Sequence, residues 1–282
     1  MLYEHAYQSF GAFCEAANVP PVNAHNFQEW EKHRDGRRMR DDWYGSAAPL
    51  SEVIRFLRAG WPEGVAAMRE ELGAIKLPVV RSVRRKQVWA GQGDSVDMGR
   101  VYSGALDQAF RTTRKAPVGR ATHVRFVLNW AAPQSTNKGQ MFYRGAVISA
   151  LVEALTEAGY QTAVSVVKKV TKVTEFDDTL LAVHLKHYTE PLALAPLVAL
   201  TAHAAAYRRV GFAWTYATVP EAVHSNMGVP VTTLTLADVQ HLIPSEPHAR
   251  AIFVPSEIHS RAEAQAFVTT MLHEIEGKGA LV

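Results

Sequence analysis

Cations and aromatic rings are interleaved along one quarter of this chain. Arg81, Arg84, Arg85 and Lys86 precede Trp89, and Arg100 and Tyr102 follow. Arg111, Arg114, Lys115, Arg120 and Arg125 then come with no acid among them. Residues 76–144 hold 13 Lys/Arg against 3 Asp/Glu, a net of +10. Residues 1–75 sum to −3, residues 145–282 to −4, and the whole chain to only +3. A solvated surface mixes its signs, so charge gathered this way calls for an anionic partner. The interleaved rings suit a single nucleic-acid strand, whose phosphates follow cations and whose bases stack on aromatic faces. Trp89, Tyr102, Trp130 and Tyr143 are the candidate stacking faces. Lys138 and Arg144, with Lys168, Lys169 and Lys172 farther on, extend the same groove. A second basic cluster, Lys32, Arg34, Arg37, Arg38 and Arg40, stands ahead of Trp43 and Tyr44. It reads either as a solvated turn offset by Asp35, Asp41 and Asp42 or as a phosphate-contacting arm.

Other chemistry finds little footing. No HExxH, EF-hand loop or G-x-x-x-x-G-K-[ST] run is present, so no metal or P-loop nucleotide site is expected. Gly91-x-Gly93 lacks the third glycine and the helix start of a dinucleotide loop. Asp94 and Asp97, three apart in a glycine turn, read as turn formers rather than as an acid–base pair. His184 and His187 are three apart in a strand-like run, which points them to opposite faces. Cys14 lies in an amphipathic stretch and reads as an inert buried thiol. No catalytic residue, metal or cofactor is expected, and the chain does not read as an enzyme.

The elements that must carry these residues are readable from punctuation and period. HVRFVLNW (123–130) is a buried strand, and AAPQSTNKGQ is a loop ending in a helix cap. MFYRGAVISALVEALTEAG has helical spacing and stops at Gly159, and YQTAVSVV is a second strand. A short helical connection makes such strands parallel. Residues 1–75 read as a helical segment, with stripes at Leu50, Val53, Ile54, Leu57 and at Val65, Met68, Leu72, Ile75. Residues 76–282 read as an α/β domain with a basic prelude over 76–122. LALAPLVALTAHAAAYRRVGFAW reads as one long buried helix with Arg208 and Arg209 near its end. ARAIFVP is the last strand, and Ser260 with Glu263 caps a closing helix. The expected class is α/β, a mainly parallel sheet flanked by helices.

At 282 residues, 48% apolar and 20% charged, the chain is long enough for one large domain with an appendage. One cysteine fits a reducing compartment. No signal peptide or membrane span is expected, which makes the expected location cytoplasmic. Homo-oligomerisation stays open.

Two resemblances add to this reading. The order strand, polar loop, helix, strand is similar to a von Willebrand factor A-type domain, which holds a metal through Asp-x-Ser-x-Ser after its first strand. Here that place reads Asn129-Trp130-Ala131-Ala132-Pro133-Gln134-Ser135, without the acid and the first serine. The motif set Trp43-Tyr44-Gly45-Ser46-Ala47, Gly60-Trp61, Gly93-Asp94 to Gly99-Arg100, Arg144-Gly145-Ala146 and Leu151 to Leu155 resembles a group of phage and bacterial proteins. That likeness covers roughly residues 43–210, and the chain also resembles a single-stranded-DNA-binding RNA polymerase cofactor of lytic phages. That resemblance implies a phage-encoded transcription cofactor that binds single-stranded DNA and contacts an RNA polymerase. The alternative is a protein-interaction module, an A-type domain with a dead metal site and an acidic protein partner.

Overall fold

A computed structural model describes residues 2–36, 41–72, 85–90, 92–93, 95–115, 123–171, 178–219, 229–244, 246 and 249–278. Among the described residues there are nine strands: β1 (Leu2–Tyr7), β2 (Arg85–Ala90), β3 (Ser95–Val96), β4 (Phe110–Lys115), β5 (His123–Asn129), β6 (Gln161–Thr171), β7 (Asp178–Lys186), β8 (Val229–Pro230) and β9 (Ala249–Val254). The α-helices are α1 (Phe10–Ala17), α2 (Ala24–Asp35), α3 (Asp41–Tyr44), α4 (Leu50–Ala59), α5 (Pro62–Leu72), α6 (Met98–Tyr102), α7 (Lys138–Glu157), α8 (Leu194–Ala202), α9 (Phe212–Thr218), α10 (Leu236–Val239) and α11 (Arg261–Lys278).

The large sheet runs β1-β7-β6-β5-β9, with β8 added beside β6. β5 is parallel to both β6 and β9, and β1 is parallel to β7. β6 and β7 are antiparallel. The sheet is therefore mixed but mainly parallel, flanked by helices, and the α/β expectation holds.

Burial on both faces explains the near-continuous apolar reading of β5, in which every residue from Val124 to Asn129 is buried. Val124, Phe126, Leu128, Val164, Val166, Leu181 and Val183 point into a core shared with α1, α4, α7, α8 and α9. Val127, Val167, Leu180 and Ala182 point the other way, where Leu234, Val239 and Ile243 cover them. The helical reading of residues 1–75 does not include β1, which forms a sheet edge at Leu2↔Asp178 through Tyr7↔Val183.

α7 begins with a complete capping box, in which the Asn137 side chain accepts from the Gln140 N–H and Gln140 reaches back to the Asn137 N–H. Gly145 lets α7 lie directly on α8, since a Cβ there would sit 2.4 Å from the Ala202 backbone. The long helix expected over 192–214 is broken. α8 stops at Ala202, a π-helical turn occupies Ala206–Gly211, and α9 follows. Arg208 and Arg209, expected as helix-end charges, lie inside that turn and are fully buried.

A second, three-stranded sheet, in the order β2-β4-β3, is antiparallel throughout. It carries the basic prelude. Among the side chains described on this unit, those of 89–90, 92–93 and 95–112, one apolar side chain is buried, Ala109.

No helix among the described residues is long and apolar enough to cross a membrane.

Candidate nucleic-acid interface

The pairing of β2 with β4 turns a linear run of cations into a patch. Their twelve residues, RKQVWA and FRTTRK, hold five cations and no acid. The register places Arg85 opposite Lys115, Lys86 opposite Arg114 and Trp89 opposite Arg111. Directly opposed residues share a face and the side-chain period along a strand is two. Positions 85, 89, 111 and 115 therefore lie on one face, and positions 86 and 114 on the other. Arg111 to Lys115 spans about 14 Å at the usual strand rise.

The connection between β2 and β4 supplies the rest. Asp97 caps α6 by accepting from the Arg100 N–H, which assigns it the turn-forming role expected of it. α6 carries Arg100 and Tyr102. The Arg100 guanidinium carbon lies 3.9 Å from the Trp89 ring centroid and that of Arg111 lies 4.6 Å away, both within cation–π range. Tyr102 is 83% exposed. Gly93 is pressed against β4, where a Cβ would meet the Arg111 carbonyl oxygen at 2.4 Å. Only glycine allows the backbone to approach β4 that closely at Arg111. Val96, Met98 and Leu106 are also exposed on this unit.

The structure brings together Arg85, Lys86, Trp89, Arg100, Tyr102, Arg111, Arg114 and Lys115 on one small unit. Arg81, Arg84, Arg120 and Lys172 lie outside the described residues. Lys138 is exposed but belongs to the start of α7 in the main body. Lys169 is half-buried, with its ammonium 3.8 Å from Asp178.

Two expected members are removed from any groove. Arg144 is fully buried and donates to the Trp130 and Ala131 carbonyls. Lys168 is buried, donates to Thr215 Oγ1, and lies 5.2 Å and 5.5 Å from the ring centres of Tyr207 and Phe212. A polymer in solvent reaches neither. Trp130 is likewise a core residue, packed on Phe13 and Tyr207. Tyr143 is half-buried and its hydroxyl donates to Glu71 Oε2 at 3.4 Å. Of the basic cluster near residue 35, Lys32 pairs with Glu29, and Arg34 with Glu31 and Asp35. Arg37, Arg38 and Arg40 lie outside the described residues.

Sequence reading missed a set of interior cations. Arg125, Arg144, Lys168, Lys186, Arg208 and Arg209 are buried, and no Asp or Glu is buried among the described residues. Backbone carbonyls stand in for carboxylates. Arg208 donates to the carbonyls of Trp43, Pro133 and Thr136, and Arg209 to those of His33 and Ser46. Lys186 donates to those of Thr162, His187 and Glu190. Desolvation holds the pKa values of Arg144, Arg208 and Arg209 down at about 10. Arg208 thereby ties Trp43 to the loop after β5, and Arg209 holds His33 and Ser46 beside it. Trp43 also stacks on Arg208 at 4.0 Å and donates to the Gln134 carbonyl.

The same loop is where an A-type domain would hold a metal. Asn129 occupies the place of the acid, donates to the Val231 and Thr232 carbonyls, and accepts from the Ala131 N–H. The carbonyls of Trp130, Ala131, Pro133 and Thr136 already serve guanidinium donors. That donor set does not fit a divalent cation. His184 and His187 are not on opposite faces as expected. β7 ends at Lys186, so His187 turns back and the two rings lie 6.1 Å apart. No group of three or more metal-binding side chains occurs among the described residues. His184 Nδ1 instead meets Ser165 Oγ at 2.8 Å, while Arg125 donates to that oxygen. Burial, with Arg125 next, brings the His184 pKa down to about 4.

Compared with known proteins, residues 1–278 match the family described as Domain of unknown function (DUF7192). No curated protein and no solved structure matches the chain.

Proposed function

We propose that this chain, which belongs to the DUF7192 family, is a single-stranded nucleic-acid-binding protein and not an enzyme. The observation that carries the reading is the β2–β4 ladder, whose two strands carry five cations and no acid, with Arg111 exposed on it and the exposed Tyr102 close by in sequence. Cations at positions 85, 100, 111 and 115 track phosphates, and an exposed ring accepts an unpaired base. Single-stranded DNA is the polymer proposed. The finer role, a phage-encoded cofactor that brings an RNA polymerase to locally melted promoters, rests on the family resemblance alone.

Fluorescence anisotropy with labelled single-stranded and duplex oligonucleotides at several salt concentrations tests the reading. Four phosphate contacts give a log–log salt slope of about −2.8 on a single strand. Arg111→Ala should weaken binding and flatten that slope by about 0.7. Absence of single-strand binding at low salt overturns the proposal.

The second reading is a docking surface for an acidic protein. Val96, Met98 and Leu106, exposed beside the same cations, favour it. It predicts no polynucleotide binding beyond a weak, length-independent attraction.

A further inference from the structure

Trp89 is the residue that sequence reasoning assigns to base stacking, and its surroundings argue otherwise. The ring is half-buried, and its π surface is engaged by two guanidiniums, from Arg100 at 3.9 Å and Arg111 at 4.6 Å. A base stacking on that ring would compete with guanidiniums already within cation–π range of it.

The two arginines arrive from different elements, α6 and β4. Their backbones are held separately, Arg100 by the Asp97 cap and Arg111 by pairing with Trp89 and Ser95. Arg100 also reaches toward Gln108, with Nη1 3.5 Å from its carbonyl oxygen and from Oε1. A guanidinium lying flat on a ring keeps its N–H donors in its own plane, parallel to the ring, where their outer edge can meet a phosphate. That is the geometry of bidentate phosphate recognition. Tyr102, from the same five-residue helix as Arg100, is the ring left open to solvent.

We infer that Trp89 is a positioning residue that orients Arg100 and Arg111 as a paired fork for phosphodiester oxygens, and that Tyr102 is the base-stacking side chain of the site. This rests on the single-strand reading above and divides its labour. Phosphate recognition is organised by an indole that touches no nucleic acid, and base contact is moved to the end of α6. The ligand class is a phosphodiester strand with unpaired bases.

Salt-dependent anisotropy on four proteins, the wild type, Trp89→Leu, Trp89→Phe and Tyr102→Ala, tests the division. Trp89→Leu should weaken binding and flatten the slope by at least 0.7, the value of one lost phosphate contact. Trp89→Phe, which keeps a ring under the guanidiniums, should restore the wild-type slope. Tyr102→Ala should weaken binding at least fivefold with the slope unchanged, as loss of a stacked base does. A Trp89→Leu protein that loses affinity at constant slope, or one that matches the wild type, overturns the inference and leaves single-strand binding intact. A wild type that does not bind overturns the reading beneath it. Should Trp89→Leu not fold, the indole N–H resonance of Trp89, assigned by its loss in Trp89→Phe, decides the matter. It should lack the upfield shift of ring stacking during titration with an oligonucleotide, and a large upfield shift refutes the positioning role.

Discussion

Lys168 shows how far a side chain can depart from what its type suggests. It stands on β6, and its ammonium has one hydroxyl and two aromatic rings for company. Burial draws its pKa down to about 7. The unfolded chain keeps that proton to about pH 10.4. Between those values the unfolded state binds more protons, so stability rises with pH, and below about pH 7 the full penalty applies. Lys168→Met is therefore expected to be more stable than the wild type at neutral pH, with the gain shrinking toward pH 10. Urea denaturation at about pH 7, 8.5 and 10 checks this, and a pH-independent gain contradicts it. Nothing in the sequence signals this burial. A lysine in KKVTKV reads as solvated, because its partners Thr215, Tyr207 and Phe212 lie more than 35 residues downstream. Arg208 and Arg209 are hidden for the same reason, and Arg144, whose acceptors Trp130 and Ala131 lie just before its helix, because carbonyls have no residue signature.

Elements with local punctuation were readable. Pro133, Asn137 and Gly159 mark the loop, cap and stop around α7, and the β5–α7–β6 unit follows from them with its parallel pairing. β1 was not readable because Glu4 and His5 interrupt LYEHAY, and only its distant partner β7 makes it a strand. The π-turn was invisible because its cause is tertiary: two adjacent arginines must reach different carbonyl cages. At the candidate site the charge excess was legible, but the role of Trp89 depends on which guanidiniums reach it across the β2–β4 ladder. Gly145→Ala tests the packing of α7 on α8. Helix propensity favours alanine by up to about 1 kcal/mol. A Cβ 2.4 Å from the Ala202 backbone forces the helices apart at a cost of about 1–3 kcal/mol. Backbone atoms cannot rotate away, so net destabilisation is expected; a raised thermal midpoint would sink this account.

At the scale of the molecule, the residues before the basic prelude and the α/β body are one packed structure, with α1 and α2 on α9, and α4 and α5 on α8. Cys14 of α1 reports on that packing. It is 3% exposed, and burial pushes its thiol up to about 12. A thiol reagent near pH 8 should leave the native protein largely unreacted and label it rapidly in denaturant. Fast labelling of the native protein would mean that α1 opens locally. The pairing of β1 with β7 reaches further, into synthesis. The ribosome delivers Leu2–Tyr7 about 170 residues before Asp178 begins the strand that receives it. At 5–20 residues per second, that is a wait on the order of ten to thirty seconds. Through that interval the nascent chain carries an unpaired β-edge, open to chaperones and to neighbouring polypeptides on the same message.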